Sequence, residues 1–245
     1  LYPNNTAFEL TLRLAEHLGQ PPHRVFVGRG SDEIIHMTGL AFLDPGDEVI
    51  YADPPFALYP LTAQVMDAVE VKVPLRDYVH DLDAMAAAVT DRTKLVFIAN
   101  PHNPSGTMVT AEALGRFIEA MPSHVIVAVD EAYYEYVERP EYPCSLQWVD
   151  EGRHVIVYRT FSKIYALAGL RVGYGIVPDH LSDAMARVRP PFNVSSVAQA
   201  AALASLDDPD QVDRGRRVNR EGLQYLGEQF ARLGLRGVPS CANFI

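Results

Sequence analysis

Short runs of β-branched and other apolar residues recur along the chain, separated by longer stretches whose apolar positions fall every three or four residues. The runs predict strands over Val25–Val27, Glu48–Tyr51, Val69–Val73, Lys94–Ala99, Val125–Val129, His154–Tyr158 and Arg171–Val177. The longer spacing predicts helices over Ser31–Phe42, Tyr59–Met66, Asp81–Val89 and Thr110–Ala120. Acidic residues fill the first turn of two of them, Asp32 and Glu33 after Ser31 and Glu112 after Thr110, as a helix N-terminus favours. Several strand runs are apolar at every position, the pattern of strands covered on both faces. Strand and helix in alternation predict an α/β fold on a largely parallel sheet. After Pro190-Pro191 the pattern changes to two long helical stretches, Ser195–Leu206 and Asp210–Leu233, with no strand between them.

Composition narrows the function classes. The 245 residues are 48% apolar and 21% charged, values of a folded domain and not of a disordered chain. The 21 Lys and Arg against 31 Asp and Glu give a net charge of −10, which speaks against a general nucleic-acid binder. Two cysteines, Cys144 and Cys241, are too few for a disulfide framework or a cysteine-rich zinc site. Apolar runs such as Val125 to Val129 fall far short of the ~20 residues of a membrane span, and no secretory signal pattern opens the sequence. The expectation is a cytoplasmic protein without metal, nucleic-acid or membrane partners. The chain opens at Leu1 and stops in the apolar run Cys241–Ile245, so it is read as a segment of a longer polypeptide.

Candidate chemistry sits directly after the predicted strands, where open α/β sheets place their ligands. Thr160-Phe161-Ser162-Lys163 offers an amine beside two hydroxyls, with Arg171 eight residues beyond Lys163 as an anion partner. Asp130 closes an apolar strand with Tyr133 on the next turn, and a buried carboxylate calls for a cation. Asn100-Pro101-His102-Asn103-Pro104-Ser105-Gly106 is a proline-stiffened loop able to aim Asn103 at a ligand. Gly28-Arg29-Gly30-Ser31-Asp32-Glu33 leads a strand into a helix N-terminus, a setting for phosphate, although Glu33 spoils a dinucleotide fingerprint. Phe56, after Pro54-Pro55, could lie against an aromatic ring. Taken singly, each has an ordinary reading: a surface lysine, a helix-capping aspartate, a plain turn, a capped helix, a core phenylalanine.

Together, Asn103, Asp130-x-x-Tyr133, Ser162-Lys163 and Arg171, in this order, resemble the fold-type-I pyridoxal-phosphate aminotransferases. The stretch Ser162-Lys163-Ile164-Tyr165-Ala166-Leu167-Ala168-Gly169-Leu170-Arg171-Val172-Gly173-Tyr174 carries most of that likeness. Tyr2-Pro3, Gly28 to Glu33 and Pro191 to Ser196 are similar to the histidinol-phosphate aminotransferase branch. The resemblance implies a mostly parallel seven-stranded sheet sandwiched by helices. It divides the chain into a lead-in segment (1–20), a large cofactor domain (21–230) and the start of a small α/β domain (231–245). It implies pyridoxal 5′-phosphate as cofactor, with Lys163 as the Schiff-base lysine and proton shuttle. Asp130 is then the partner of the pyridine nitrogen, Tyr133 and Asn103 donors to the ring oxygen, and Phe56 the stacking ring. Ser162, Arg171 and the backbone at Gly30, Ser31 and Asp32 are the phosphate holders, with Thr160 as a helper. Tyr2 matches a residue that reaches the neighbouring subunit's phosphate, which implies an obligate homodimer. The arginine that takes the substrate carboxylate in the family is expected beyond Ile245.

The implied reaction is ping-pong transamination between a small amino donor and a 2-oxo acid, with histidinol phosphate and 2-oxoglutarate as the leading pair. Aromatic-amino-acid aminotransferases and phosphothreonine decarboxylases share the same cofactor residues. A non-enzymatic, cofactor-sensing regulator domain is the alternative of a different class. A phosphorylated donor calls for a second anion clamp, for which Arg29, Arg187 and Arg189 are the nearest basic residues.

Overall fold

The computed structural model describes residues 2–245. Its strands are β1 (Val25–Gly28), β2 (Glu48–Asp53), β3 (Val69–Pro74), β4 (Thr93–Ala99), β5 (Ile126–Asp130), β6 (Val155–Thr160) and β7 (Gly173–Ile176). They form one seven-stranded sheet in the order β1-β7-β6-β5-β4-β2-β3. Only β7 runs antiparallel to its neighbours; the β2–β3, β2–β4, β4–β5 and β5–β6 pairs are parallel. The fold class is the expected α/β sandwich.

Helices cover both faces: α1 (Phe8–Leu18), α2 (Ser31–Phe42), α3 (Leu58–Val65), α4 (Leu82–Ala87), α5 (Ala111–Ala120), α6 (Leu146–Asp150), α7 (Asp179–Val188), α8 (Ser196–Leu206) and α9 (Pro209–Arg232). On β5, Val127 and Val129 join one core with Leu10 of α1, Leu114 of α5 and Trp148 of α6. Ile126 and Ala128 join the other, with Ile34 of α2, Tyr59 of α3 and Met185 of α7. That two-sided burial is why the central strands read as continuous apolar runs. Truncating one fully buried core residue such as Leu114 to Ala should cost about 2–5 kcal/mol.

Three helices missing from the expected set, α1, α6 and α7, bury Leu10 and Leu14, Trp148 and Val149, and Leu181 and Met185. Side chains of Asp81, Thr110 and Ser195 accept hydrogen bonds from Ala84, Ala113 and Ala198 at the starts of α4, α5 and α8. Each such cap contributes about 1 kcal/mol. By contrast, Gly30 caps α2 at φ 82° with no side-chain hydrogen bond, leaving its first-turn N–H groups available to a ligand.

The expected strand Arg171–Val177 needs correction, because pairing begins only at Gly173. Arg171 has a left-handed backbone (φ 54°, ψ 71°), which cannot continue a β ladder. Strand β5 is shifted one residue from expectation, so Asp130 is itself a ladder residue opposite Ala99 and Tyr158. Among the described residues, no helix is long and apolar enough to cross a membrane. Nor do three or more His, Cys, Asp or Glu cluster as a metal site among them.

Candidate active site

The carboxyl ends of β1, β2, β4, β5 and β6 share one edge of the sheet with the start of β7. Loops leaving that edge enclose a cavity of about 250 Å³. Ser31, Asp32, Phe56, Asn103, Asp130, Tyr133, Thr160, Ser162, Lys163 and Arg171 all line it. Tyr2 does not: it is 82% exposed and its ring stacks on Phe192 at 4.9 Å. Arg29, Arg187 and Arg189 do not line the cavity either, so the described chain assembles no second anion clamp from them.

Asp130 is buried at the end of β5. Its Oδ2 accepts a hydrogen bond from the Tyr59 hydroxyl at 2.9 Å, and its Oδ1 accepts the Ala132 N–H at 3.1 Å. Burial pushes the carboxyl up to about 6, against the opposing pull of these two hydrogen bonds. A buried carboxyl of this kind gains from a cationic partner, which restores the charge compensation that water no longer supplies. Asp130 is not a helix cap: a turn and the short 3-10 segment Tyr134–Tyr136 follow it.

Asn103 Nδ2 donates to the Tyr133 hydroxyl at 3.4 Å, pairing two polar groups on the cavity wall. Burial, with the nearby Asp130 charge, raises the Tyr133 phenol to about 12, so it is a proton donor at neutral pH. Lys163 Nζ lies 5.0 Å from the centre of the Tyr133 ring. The next residue anchors the Lys163 loop, since Gln211 Nε2 of α9 donates to the Ile164 carbonyl at 2.8 Å. Gly215, one helical turn on, leaves space for Ile164; a Cβ there would stand 2.6 Å from its Cδ1.

The opposite end of the cavity gathers an arginine, two hydroxyls and the start of α2. Arg171 Nη1 reaches Ser162 Oγ at 3.4 Å and Nη2 reaches Asp32 Oδ2 at 2.6 Å. Thr160 Oγ1 donates to Ser162 Oγ at 2.9 Å and accepts the Ser162 N–H at 3.1 Å. The left-handed turn at Arg171 swings its side chain toward α2 instead of along the sheet. Two glycines make the approach possible. A Cβ on Gly30 would come within 2.8 Å of Arg171 Nη2, and one on Gly173 would collide with the Ser31 amide.

Several supporting residues escaped the sequence reading. Tyr59 holds Asp130 from a helix more than seventy positions earlier. Glu131 and Arg159 form a buried ion pair, with Arg159 Nε and Nη2 both 2.8 Å from Glu131 Oε2, tying β6 to the residue after β5. The Arg159 guanidinium also lies 3.7 Å from the centre of the Tyr134 ring. Glu135 crowds this pair, and neither its Oε2 nor Glu131 Oε1 has a hydrogen-bond partner among the described residues. His102, in contact with His80 through edge-on rings at 4.7 Å, bonds Ser105 and the Pro54 carbonyl, linking the loops of Asn103 and Phe56. Burial holds His80 and His102 down to about 3 and 4, so both are neutral. The charges at the ends of two apolar runs, Glu131 just after β5 and Arg159 within β6, were the one visible signal, because buried charges need partners. No local pattern pointed to Tyr59.

The family model for aminotransferase class I and II matches residues 1–245. A histidinol-phosphate aminotransferase of Moorella thermoacetica is 51% identical across 100% of this chain, which spans 64% of that relative. Histidinol-phosphate aminotransferase 1 of Nitrosococcus oceani is 47% identical, with this chain spanning 66% of its length. Among solved structures, histidinol-phosphate aminotransferase from Sinorhizobium meliloti in complex with pyridoxal-5′-phosphate superposes with a TM-score of 0.94. That pair is 31% identical over 99% of this chain and 66% of the other. Aspartate aminotransferase from Thermus thermophilus with maleate superposes at 0.88 with 26% identity, over 99% of this chain and 68% of that one. With the family model matched from end to end and the fold shared, the chain belongs to the class I and II aminotransferases.

Proposed function

We propose that the full-length protein is a pyridoxal-phosphate-dependent aminotransferase, acting on histidinol phosphate with 2-oxoglutarate as amino acceptor. The observation that carries this reading is the spacing of three chemistries around one cavity: a buried carboxylate at Asp130, an amine at Lys163 and an anion cradle at Ser162, Arg171 and the start of α2. The donor set fits the cofactor. Asp130 is desolvated enough to want a cation, as a protonated pyridine nitrogen is. The absence of a Cβ at Gly30 and Gly173 lets the Arg171 guanidinium and the start of α2 draw together at the cavity, a setting suited to a phosphate at a helix N-terminus. Phe56 offers the aromatic wall, and Tyr133 with Asn103 offers donors to a ring oxygen.

When bound, pyridoxal 5′-phosphate supplies the electron sink for the pair left behind as the amino donor loses its Cα proton. This chain's residues do the rest. Asp130 would favour a proton on the ring nitrogen by setting its carboxylate beside it. Tyr133 and Asn103 would orient the ring by donating hydrogen bonds to its oxygen. Arg171, Ser162 and the α2 amides would hold the phosphate end, across the cavity from Asp130. Lys163 would be the amine that holds the cofactor, and its Nζ the base that takes the proton from the donor's Cα. Asp130 and Tyr133 are themselves buried, which limits water at their side chains.

Residues 21–230 serve in this reading as the cofactor domain, led in by 1–20, and 231–245 begin the small domain. The last segment packs against one residue of the cavity wall: Phe244 meets the Tyr133 ring edge-on at 5.2 Å. The exposed ring of Tyr2 suits a residue that completes a second subunit's site, so a homodimer belongs to the proposal, as does a cytoplasmic location. The test is Lys163→Ala in the full-length protein, which should abolish transamination and the borohydride-reducible visible band. Normal turnover by that variant would overturn the reading. For the donor, kcat/KM should favour histidinol phosphate over phenylalanine by ~10⁴, which calls for phosphate-binding cations supplied from outside the residues lining this cavity. A preference for phenylalanine would replace the donor and leave the reaction.

A further inference from the structure

We propose that Tyr59 is a positioning residue that sets the orientation and acidity of Asp130; this rests on the reading that Asp130 faces the cofactor's ring cation. The geometry is specific. The Tyr59 hydroxyl donates to Asp130 Oδ2 at 2.9 Å while the Ala132 N–H occupies Oδ1 at 3.1 Å, so each carboxylate oxygen has one donor. A carboxylate offers about four lone-pair sites. With one used on each oxygen, the plane of the group is fixed and the remaining lone pairs are available to the cavity. A single donor would leave the carboxylate free to rotate about χ2.

Tyr59 is itself held on every side. Its ring lies flat on Phe97, with centroids 4.4 Å apart and planes within 6°. Phe56 meets it edge-on at 5.6 Å, and Tyr51 leans on it at 6.4 Å. The side chain is 2% exposed yet still borders the cavity. One aromatic residue thereby couples the candidate stacking ring, Phe56, to the candidate ring-nitrogen partner, Asp130. Burial and the adjacent carboxylate lift the Tyr59 phenol well above its ordinary range, so it stays a donor at every working pH. The other ionisable groups acting on Asp130 are Asp32 from α2 and Glu131 from the next position. Tyr158 from β6 and Tyr133 also sense its charge. Of these, only Tyr59 is hydrogen-bonded to the carboxylate through its side chain.

The experiment follows the Asp130 carboxyl by carbon NMR in full-length protein freed of pyridoxal 5′-phosphate, with the signal assigned through Asp130→Asn. Tyr59→Phe keeps the ring and its stack and removes only the hydroxyl. Losing a hydrogen bond to the charged form should raise the Asp130 midpoint by about one pH unit, a tenfold change in its acid dissociation constant. The same variant should bind pyridoxal 5′-phosphate about tenfold more weakly, with kcat falling more than KM changes. An Asp130 midpoint unmoved by Tyr59→Phe overturns the proposal. Should Tyr59→Phe fail to fold, Phe97→Leu loosens the ring while leaving the hydroxyl, and a smaller rise in the same direction is expected; no rise again overturns it. The parent reading fails by a different result, normal turnover in Lys163→Ala, so the two failures are distinguishable.

Discussion

Replacing Glu135 by Gln should stabilise the full-length protein at neutral and alkaline pH. Glu135 is 7% exposed, its Oε2 is unpartnered among the described residues, and it shares the one guanidinium of Arg159 with Glu131. Burial, only partly offset by Arg159, pushes its carboxyl from the ordinary 4.5 up to about 7. The folded chain then binds more protons than the unfolded chain between those two values. Stability is therefore greatest below that window and falls as pH rises through it. At about 1.4 kcal/mol per pH unit, the full loss is about 3 kcal/mol. An amide of the same shape carries no charge and removes this slope, although it must tolerate the same missing partner. Urea unfolding of both proteins from about pH 4 to pH 8 should show Glu135→Gln gaining on the parent by roughly 2–3 kcal/mol across the range. Two stability curves that stay parallel would refute the reasoning, since Glu135 would then ionise alike folded and unfolded.

Asp130→Asn should cost at least ~10² in kcat, because an amide cannot hold a proton on the ring nitrogen; steady-state rates near those of the parent would reduce Asp130 to a structural residue. Gly173→Ala drives a methyl group into the Ser31 amide, so overpacking of about 1–3 kcal/mol and at least tenfold weaker cofactor binding are expected, read by urea unfolding and by equilibrium dialysis. Arg159→Met strands the Glu131 carboxylate in the core and should lose about 3–5 kcal/mol; addition of Glu131→Leu should recover much of it in the same unfolding assay. Mixing a Lys163→Ala chain with a Tyr2→Phe chain should yield hybrid dimers with one intact site, and activity no greater than the sum of the separate variants, after confirmed subunit exchange, would remove the cross-subunit role.

The apolar run of Val125 to Val129 and its counterparts on β4 and β6 determined a buried sheet, because a strand covered on both faces gives few positions to polar side chains. The residues closing those runs determined where chemistry would gather, since parallel strands bring their carboxyl ends to one edge whatever their order. Thus Asp130, Asn103 and Lys163 were legible one strand at a time. Strand boundaries were less so: Arg171 looked like the first residue of a strand, and only its ties to Ser162 and Asp32 explain the left-handed turn that delays β7 to Gly173. Helices α1 and α7 carried a helical period that the strand pattern overshadowed, and the five-residue α6 is too short to display one. What the tertiary structure alone decided is the pairing of residues far apart in the chain. Tyr59 meets Asp130, Arg159 meets Glu131, and Gln211 meets the Lys163 loop because of strand order and helix placement. The periodic pattern of a sequence records which face each residue buries, but the partner across that face is set by the global packing.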